Sequence, residues 1–146
     1  MATTNSGIKI RGSTITVCTG ASTLLTGTLN TSETITPVPE DEAFADLELE
    51  CAFATAPAAG KFIHVYRRDI NMSAAGKNAP LPVVTDYEEK YCGSFAVLNS
   101  TAAQVLSLPG ILIPHDAEFY IKNDTGQTMS AGYVLRAMPW SWGPAP

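Results

Sequence analysis

The chain predicts an all-β fold, a single antiparallel β-sandwich or jelly-roll-like domain preceded by an extended N-terminal arm. Three observations lead there. In FADLELECAFA, residues 44–54, Asp46, Glu48 and Glu50 alternate strictly with Leu47, Leu49, Cys51 and Phe53. That period of two puts every acid on one face and every large apolar group on the other, the mark of a strand with one wet side. Short β-branched and aromatic runs recur along the chain with turn residues about every 8–12 positions, as in a sandwich. No stretch of about ten residues or more keeps a helical period.

The elements follow in order. IKIRGSTITV and TLLTGTLNTSETIT carry Thr/Ile/Leu alternation broken by glycines. Residues 1–20 are read as the arm, lying on a neighbour, and 21–146 as the sandwich; the competing reading makes the first segment an ordinary strand of the same domain. Beyond the acidic strand, APAAGK supplies Pro and Gly for a turn. FIHVYRRDI then reads as the hairpin partner of that strand. The next run, INMSAAGKNAPLP, is a long loop on its Gly and Pro content. YCGSFAVLN, then QVLSLPGILIP split at Pro109-Gly110, then AEFYIKN and finally SAGYVLRAM complete roughly eight strands.

Composition narrows the function. Hydrophobic residues form 45% of the 146 and charged ones 16%, against about 25% in ordinary domains, so the surface is poor in charge. A charge-poor surface suits contact with other proteins, or is simply rich in Thr and Ser. The net charge is −5, and only Arg67-Arg68 places two basic residues side by side, which leaves no basic stripe for phosphates. No run approaches the roughly 20 apolar residues that span a bilayer. MATTNSGIKIRG lacks the features of a signal peptide, so synthesis and folding in the cytosol are expected. Cys18, Cys51 and Cys92, odd in number and widely spaced, read as buried free thiols.

Chemistry was sought among the titratable residues. His64 and His115 lie far apart in sequence, and no nucleophile elbow, zinc-protease, P-loop or dinucleotide motif occurs. A zinc site from Cys51, Cys92, His64 and His115 has no module spacing. The acids of EDEAFADLELE (40–50) and DYEEK (86–90) read as solvated faces rather than a glycosidase pair or a calcium loop. The expectation is therefore no enzyme: no catalytic residues, no cofactor and no metal. NDTGQT, residues 123–128, offers sugar- or calcium-like ligands, but Asn, Asp and Gly are also what a tight hairpin turn needs, and it is read as one. Tyr66, Tyr87, Tyr91, Tyr120 and Tyr133 read as core aromatics, whereas Trp140 and Trp142 between prolines look free to present their rings. With Ile8, Ile10 and Arg11 they are the expected interface residues.

FADLELECAFATAPAAGKFIHVYRRD, YCGSFAVLN and LPGILIPHDAEFYIKNDTGQTMSAGYVL resemble, in that order, a recurrent type of small tailed-phage virion protein, over about residues 40–140. The chain departs from that pattern after Tyr66, where RRDINMSAAGKNAPLP replaces a short turn. The resemblance implies a capsid decoration (cement) protein on the virion surface. Its implied partners are the major capsid protein and sister copies, as a dimer or trimer, with no nucleic acid or membrane bound. A tail or neck component, or a carbohydrate-binding module of a virion, is the alternative. The resemblance supplies no catalytic residue.

Overall fold

A computed structural model describes residues 7–70 and 91–143. They form eight strands: β1 Ile8–Arg11, β2 Ile15–Thr19, β3 Phe44–Cys51, β4 Phe62–Asp69, β5 Tyr91–Ala96, β6 Gln104–Leu112, β7 Ala117–Asp124 and β8 Val134–Gly143. No helix occurs among the described residues. One sheet runs β1-β8-β3-β6, with β2 also on β8; the other runs β5-β4-β7, and all pairs are antiparallel. The sheets pack face to face as a sandwich. Leu47, Leu49 and Leu135 of the larger one share a core with Ile63, Val65, Phe95, Phe119 and Ile121 of the smaller. The alternation of β3 is as read: Ala45, Leu47, Leu49 and Cys51 are buried, and the residues between them are half-buried.

Four local expectations change. First, β3 and β4 are not a hairpin. β3 pairs with β6 and β8, while β4 pairs with β5 and β7 in the opposite sheet, so the Pro/Gly turn carries the chain across the sandwich. Second, residues 23–36 are no strand; they touch the sheets through isolated bridges such as Leu24–Met129 and Leu29–Lys122. Glu33 closes part of this segment by accepting the amides of Ala21 and Ser22. Third, Pro109-Gly110 does not split β6. It forms a bulge opposite Asp46, with Gly110 at φ 72° and its amide donating to Asp46 Oδ1 at 2.9 Å. Proline is tolerated because β6 is the edge of its sheet, where a missing N–H breaks no ladder bond.

Fourth, residues 8–19 do not project from the domain. β1 and β2 lie end to end along one edge of β8, β1 on residues 140–143 and β2 on 134–137. The Gly12 amide bridges the gap by donating to Pro139 O at 2.7 Å. Val17 and Cys18 are buried in the core. The described part of the segment expected as an arm, residues 8–19, is thus an interrupted edge strand. The expected long loop, its Gly76, Pro80 and Pro82, Tyr87 and the acids at 86–90 lie outside the described residues.

Candidate interface at the tryptophan end of the five-stranded sheet

Strand parity places the candidate residues. Along β8, Leu135, Ala137 and Pro139 are buried, so Arg136, Met138, Trp140 and Trp142 point outward. Trp142 stands opposite Lys9, Trp140 opposite both Arg11 and Phe44, and Phe44 opposite Leu112. One apolar row therefore crosses the outer face from β8 through β3 to β6. Ile8 and Ile10 have the other parity, beside Ser141 and Gly143. They face the inner side where the narrower sheet does not cover them, and each is 42% exposed.

The two tryptophans differ in role. The Trp140 ring stacks on Phe44 at 4.6 Å, meets Trp142 edge-on at 5.4 Å, and lies under the Lys9 ammonium at 4.2 Å. Only 7% of Trp140 is exposed, against 62% of Trp142. Trp140, expected to present its ring freely, instead supports its neighbour, and Trp142 with Leu112, 53% exposed, presents the apolar surface. Arg11 is exposed; its described side-chain bond is to Met138 Sδ at 3.4 Å.

Asp46 holds the patch together. Oδ2 accepts from Lys9 Nζ at 2.7 Å, and Oδ1 accepts from Trp140 Nε1 at 2.8 Å and the Gly110 amide. One carboxylate thereby ties β3 to β1, β8 and the β6 bulge. Burial opposes its charge, but the Lys9, Gly110 and Trp140 donors outweigh burial and hold the carboxyl below its usual range. A depressed carboxyl contributes stability above its unfolded pKa, about 3.9, and loses it as pH falls through the lower folded value. Both tryptophans of the chain sit here, so tryptophan emission reports this patch alone. Emission is expected to shift to the red as pH falls below about 4, and Asp46→Asn to start shifted and titrate less. Identical acid titrations would exclude Asp46 as the hub.

Beside the row lies a cleft of about 300 Å³ lined by Arg11, Asp46, Glu48, Ser107, Arg136 and Met138. Its charges are largely matched from within, since Arg136 Nη1 pairs with Glu48 at 3.2 Å and Glu50 at 3.1 Å. The acids of β3 do share the outer face, held by cations of β1 and β8.

The remaining candidates are dispersed. Cys18 and Cys51 are buried free thiols and Cys92 is a half-buried one. Burial raises the thiol of Cys18, that of Cys51 to about 11 and that of Cys92 to about 12. His115, in the loop between β6 and β7, pairs with Glu40 at 3.8 Å, whereas His64 stands opposite Lys122, towards the other end of β7. Among the described residues no group of three His, Cys, Asp or Glu could hold a metal. The 123–128 segment does turn, because Asn123 Oδ1 accepts from the Thr125 amide at 3.1 Å and Gly126 takes φ 80°. It is not a hairpin, however: it delivers the chain from β7 to β8 in the other sheet.

Sequence reasoning missed Phe44, Asp46, Lys9 and Leu112 as members of this patch. Phe44 carried a signal, since it shares the parity of Asp46, Glu48 and Glu50 and is the one large apolar residue on that polar face. No protein-family model, curated protein or solved structure matches the chain.

Proposed function

We propose that this protein is a non-enzymatic structural component of a tailed-phage virion, a decoration protein that adheres to the outer capsid surface and stabilises the head. The observation that supports it most is the set of exposed apolar side chains at one end of a stiff sheet, Trp142 and Leu112 on its outer face and Ile8 and Ile10 on the reverse. Large apolar groups gathered at a rigid sheet end are what an adhesive surface needs, with tryptophan a frequent anchor. A single contact of ordinary size buries about 800 Å² per partner. Repetition over a shell would multiply such contacts through effective concentration. Binding only the assembled shell stabilises it by linkage. In this reading Trp142, Ile8, Ile10 and Arg11 meet the major capsid protein or a sister copy, and Trp140 holds Trp142 in place.

Quantitative mass spectrometry of purified virions tests the proposal. A copy number comparable with that of the shell subunit is expected; about a dozen copies or fewer would indicate a tail or neck ring, and none would end the virion reading. Removing residues 1–15 would also take Lys9 off Asp46, so point substitutions are the cleaner probe of the surface. Ile10→Ser with Trp142→Ser should strip the protein from particles while moving the melting temperature by only a few degrees, since both side chains are substantially exposed. Full occupancy of the double variant would exclude this end of the sheet.

A further inference from the structure

The opposite face of the sandwich carries a different kind of surface. On β4, Ile63 and Val65 are buried, so Phe62, His64 and Tyr66 point away from the core. His64 stands opposite Ser94 of β5 and Lys122 of β7, Phe62 opposite Asp124, and Tyr66 opposite Tyr91. Four polar groups form a continuous chain across three strands. Asp124 Oδ2 lies 3.3 Å from His64 Nε2, His64 Nδ1 lies 2.7 Å from Ser94 Oγ, and Ser94 Oγ lies 2.7 Å from the Tyr91 hydroxyl. Aromatic rings flank it: Phe62 stacks on His64 at 6.3 Å and 18°, and Tyr91 meets His64 edge-on at 5.8 Å. Phe62 is 42% and Tyr91 47% exposed.

The order Asp124–His64–Ser94 has the residue types of a hydrolytic relay, but its geometry argues otherwise. Ser94 Oγ is engaged on both sides, by the imidazole and by the Tyr91 phenol. Asp124 is largely solvated, and its contact with the imidazole is long, so it orients the ring weakly. What the array does offer is exposed ring surface beside polar groups: a carboxylate, an imidazole and two hydroxyls, with Lys122 opposite His64 on the adjoining strand. Cores of protein interfaces are depleted in Lys and Asp, and a phosphate ligand would be repelled by Asp124. A neutral sugar matches both halves, its C–H face against Phe62 and Tyr91 and its hydroxyls toward Asp124, His64 and Lys122. Because His64, Ser94 and Tyr91 are already hydrogen-bonded across the strands, little ordering of those side chains is left for binding to cost.

We infer that the outer face of the three-stranded sheet is a saccharide-binding platform centred on His64, with Phe62 and Tyr91 as stacking rings and Asp124 as the principal hydroxyl acceptor. It is separate from the tryptophan patch and does not depend on the virion reading. The test is a glycan array probed with the full chain, hits being quantified by calorimetry with the purified oligosaccharide. Saturable binding is expected, weakened about tenfold or more by Phe62→Ala and by Tyr91→Ala, each of which removes a stacking ring. Asp124→Ala should weaken it similarly, Tyr91→Phe should retain most of it because the ring stays, and Trp142→Ala should leave it unchanged. Absence of saturable binding to any glycan would overturn the inference. So would binding that survives both ring deletions, or a Phe62-dependent self-association in place of sugar binding.

Discussion

Asn123→Ala is expected to destabilise the domain by about 3 kcal/mol, lowering the melting temperature by roughly 10 °C. Asn123 is completely buried. Its Nδ2 donates to Leu24 O at 2.9 Å and Gln127 O at 2.7 Å, while Oδ1 accepts from the Thr125 amide at 3.1 Å and hydroxyl at 2.7 Å. Alanine leaves those buried partners with fewer bonds or none, and each unsatisfied group costs about 1–3 kcal/mol. The backbone of Asn123 is engaged too, with the Gly27 amide donating to its carbonyl and its own amide donating to Thr28 O. Side chain and backbone together therefore let this one residue pin residues 24–28, the end of β7 and the approach to β8.

Asn123→Asp sharpens the test. It replaces two donors by an acceptor aimed at two carbonyl oxygens, which disfavours the charged form and raises the folded pKa above the unfolded value of about 3.9. The variant should thus be most stable below about pH 4 and lose stability as pH rises through the higher folded value. Were the turn a calcium site instead, added calcium would raise the melting temperature of the wild type and Asn123→Ala would abolish the rise. A loss below about 1 kcal/mol on alanine substitution would refute the structural role.

How much of this was legible depends on whether the information was local. β3 could be read because alternation is written into consecutive residues, and Phe44 on its wet face was legible in hindsight by the same parity. The partner of β3 could not be read. A Pro/Gly turn marks a change of direction equally well whether the chain returns to the same sheet or crosses to the other, and here it crosses. Pro109-Gly110 looks like a break by composition, yet an edge position and an available aspartate convert it to a bulge. Residues 23–36 alternate like a strand, but their backbone bonds go piecemeal to Met129, Ile121 and Val17, so no ladder forms. The tryptophans stood out by sequence; the Lys9–Asp46–Trp140 hub and the Asp124–His64–Ser94 chain did not, because each gathers residues from strands far apart in sequence.

The other large effect is expected at Gly20, where any side chain collides with the core. A Cβ there would sit 2.1 Å from Tyr133 Cε1 and within 2.5 Å of two further ring atoms. The backbone has no room to yield, because the Gly20 amide donates to Tyr133 O and the Gly132 amide donates to Gly20 O, both at 2.8 Å. Nor does the ring, which is almost wholly buried. Gly20→Ala should therefore cost about 3 kcal/mol, at the upper end for overpacking. The clash is specific to the ring, so shortening Tyr133 should relieve it. Tyr133→Leu alone leaves a cavity costing about 2 kcal/mol, but Gly20→Ala with Tyr133→Leu should be at least about 1 kcal/mol more stable than the sum of the singles. The phenol oxygen separates this from a polar effect. It is buried with no partner at full hydrogen-bond geometry, only weak interactions with Asn30 and Cys18, and burial, with Cys18 and Glu33 nearby, pushes its pKa well above the usual range. Tyr133→Phe deletes a poorly satisfied group while keeping the ring, so it should be close to neutral and should not rescue Gly20→Ala. Chemical denaturation of the five variants, Gly20→Ala with Tyr133→Phe included, decides the matter. Strict additivity of the double variant, or rescue by phenylalanine, would mean that Gly20 is required for something other than the space it leaves to the ring.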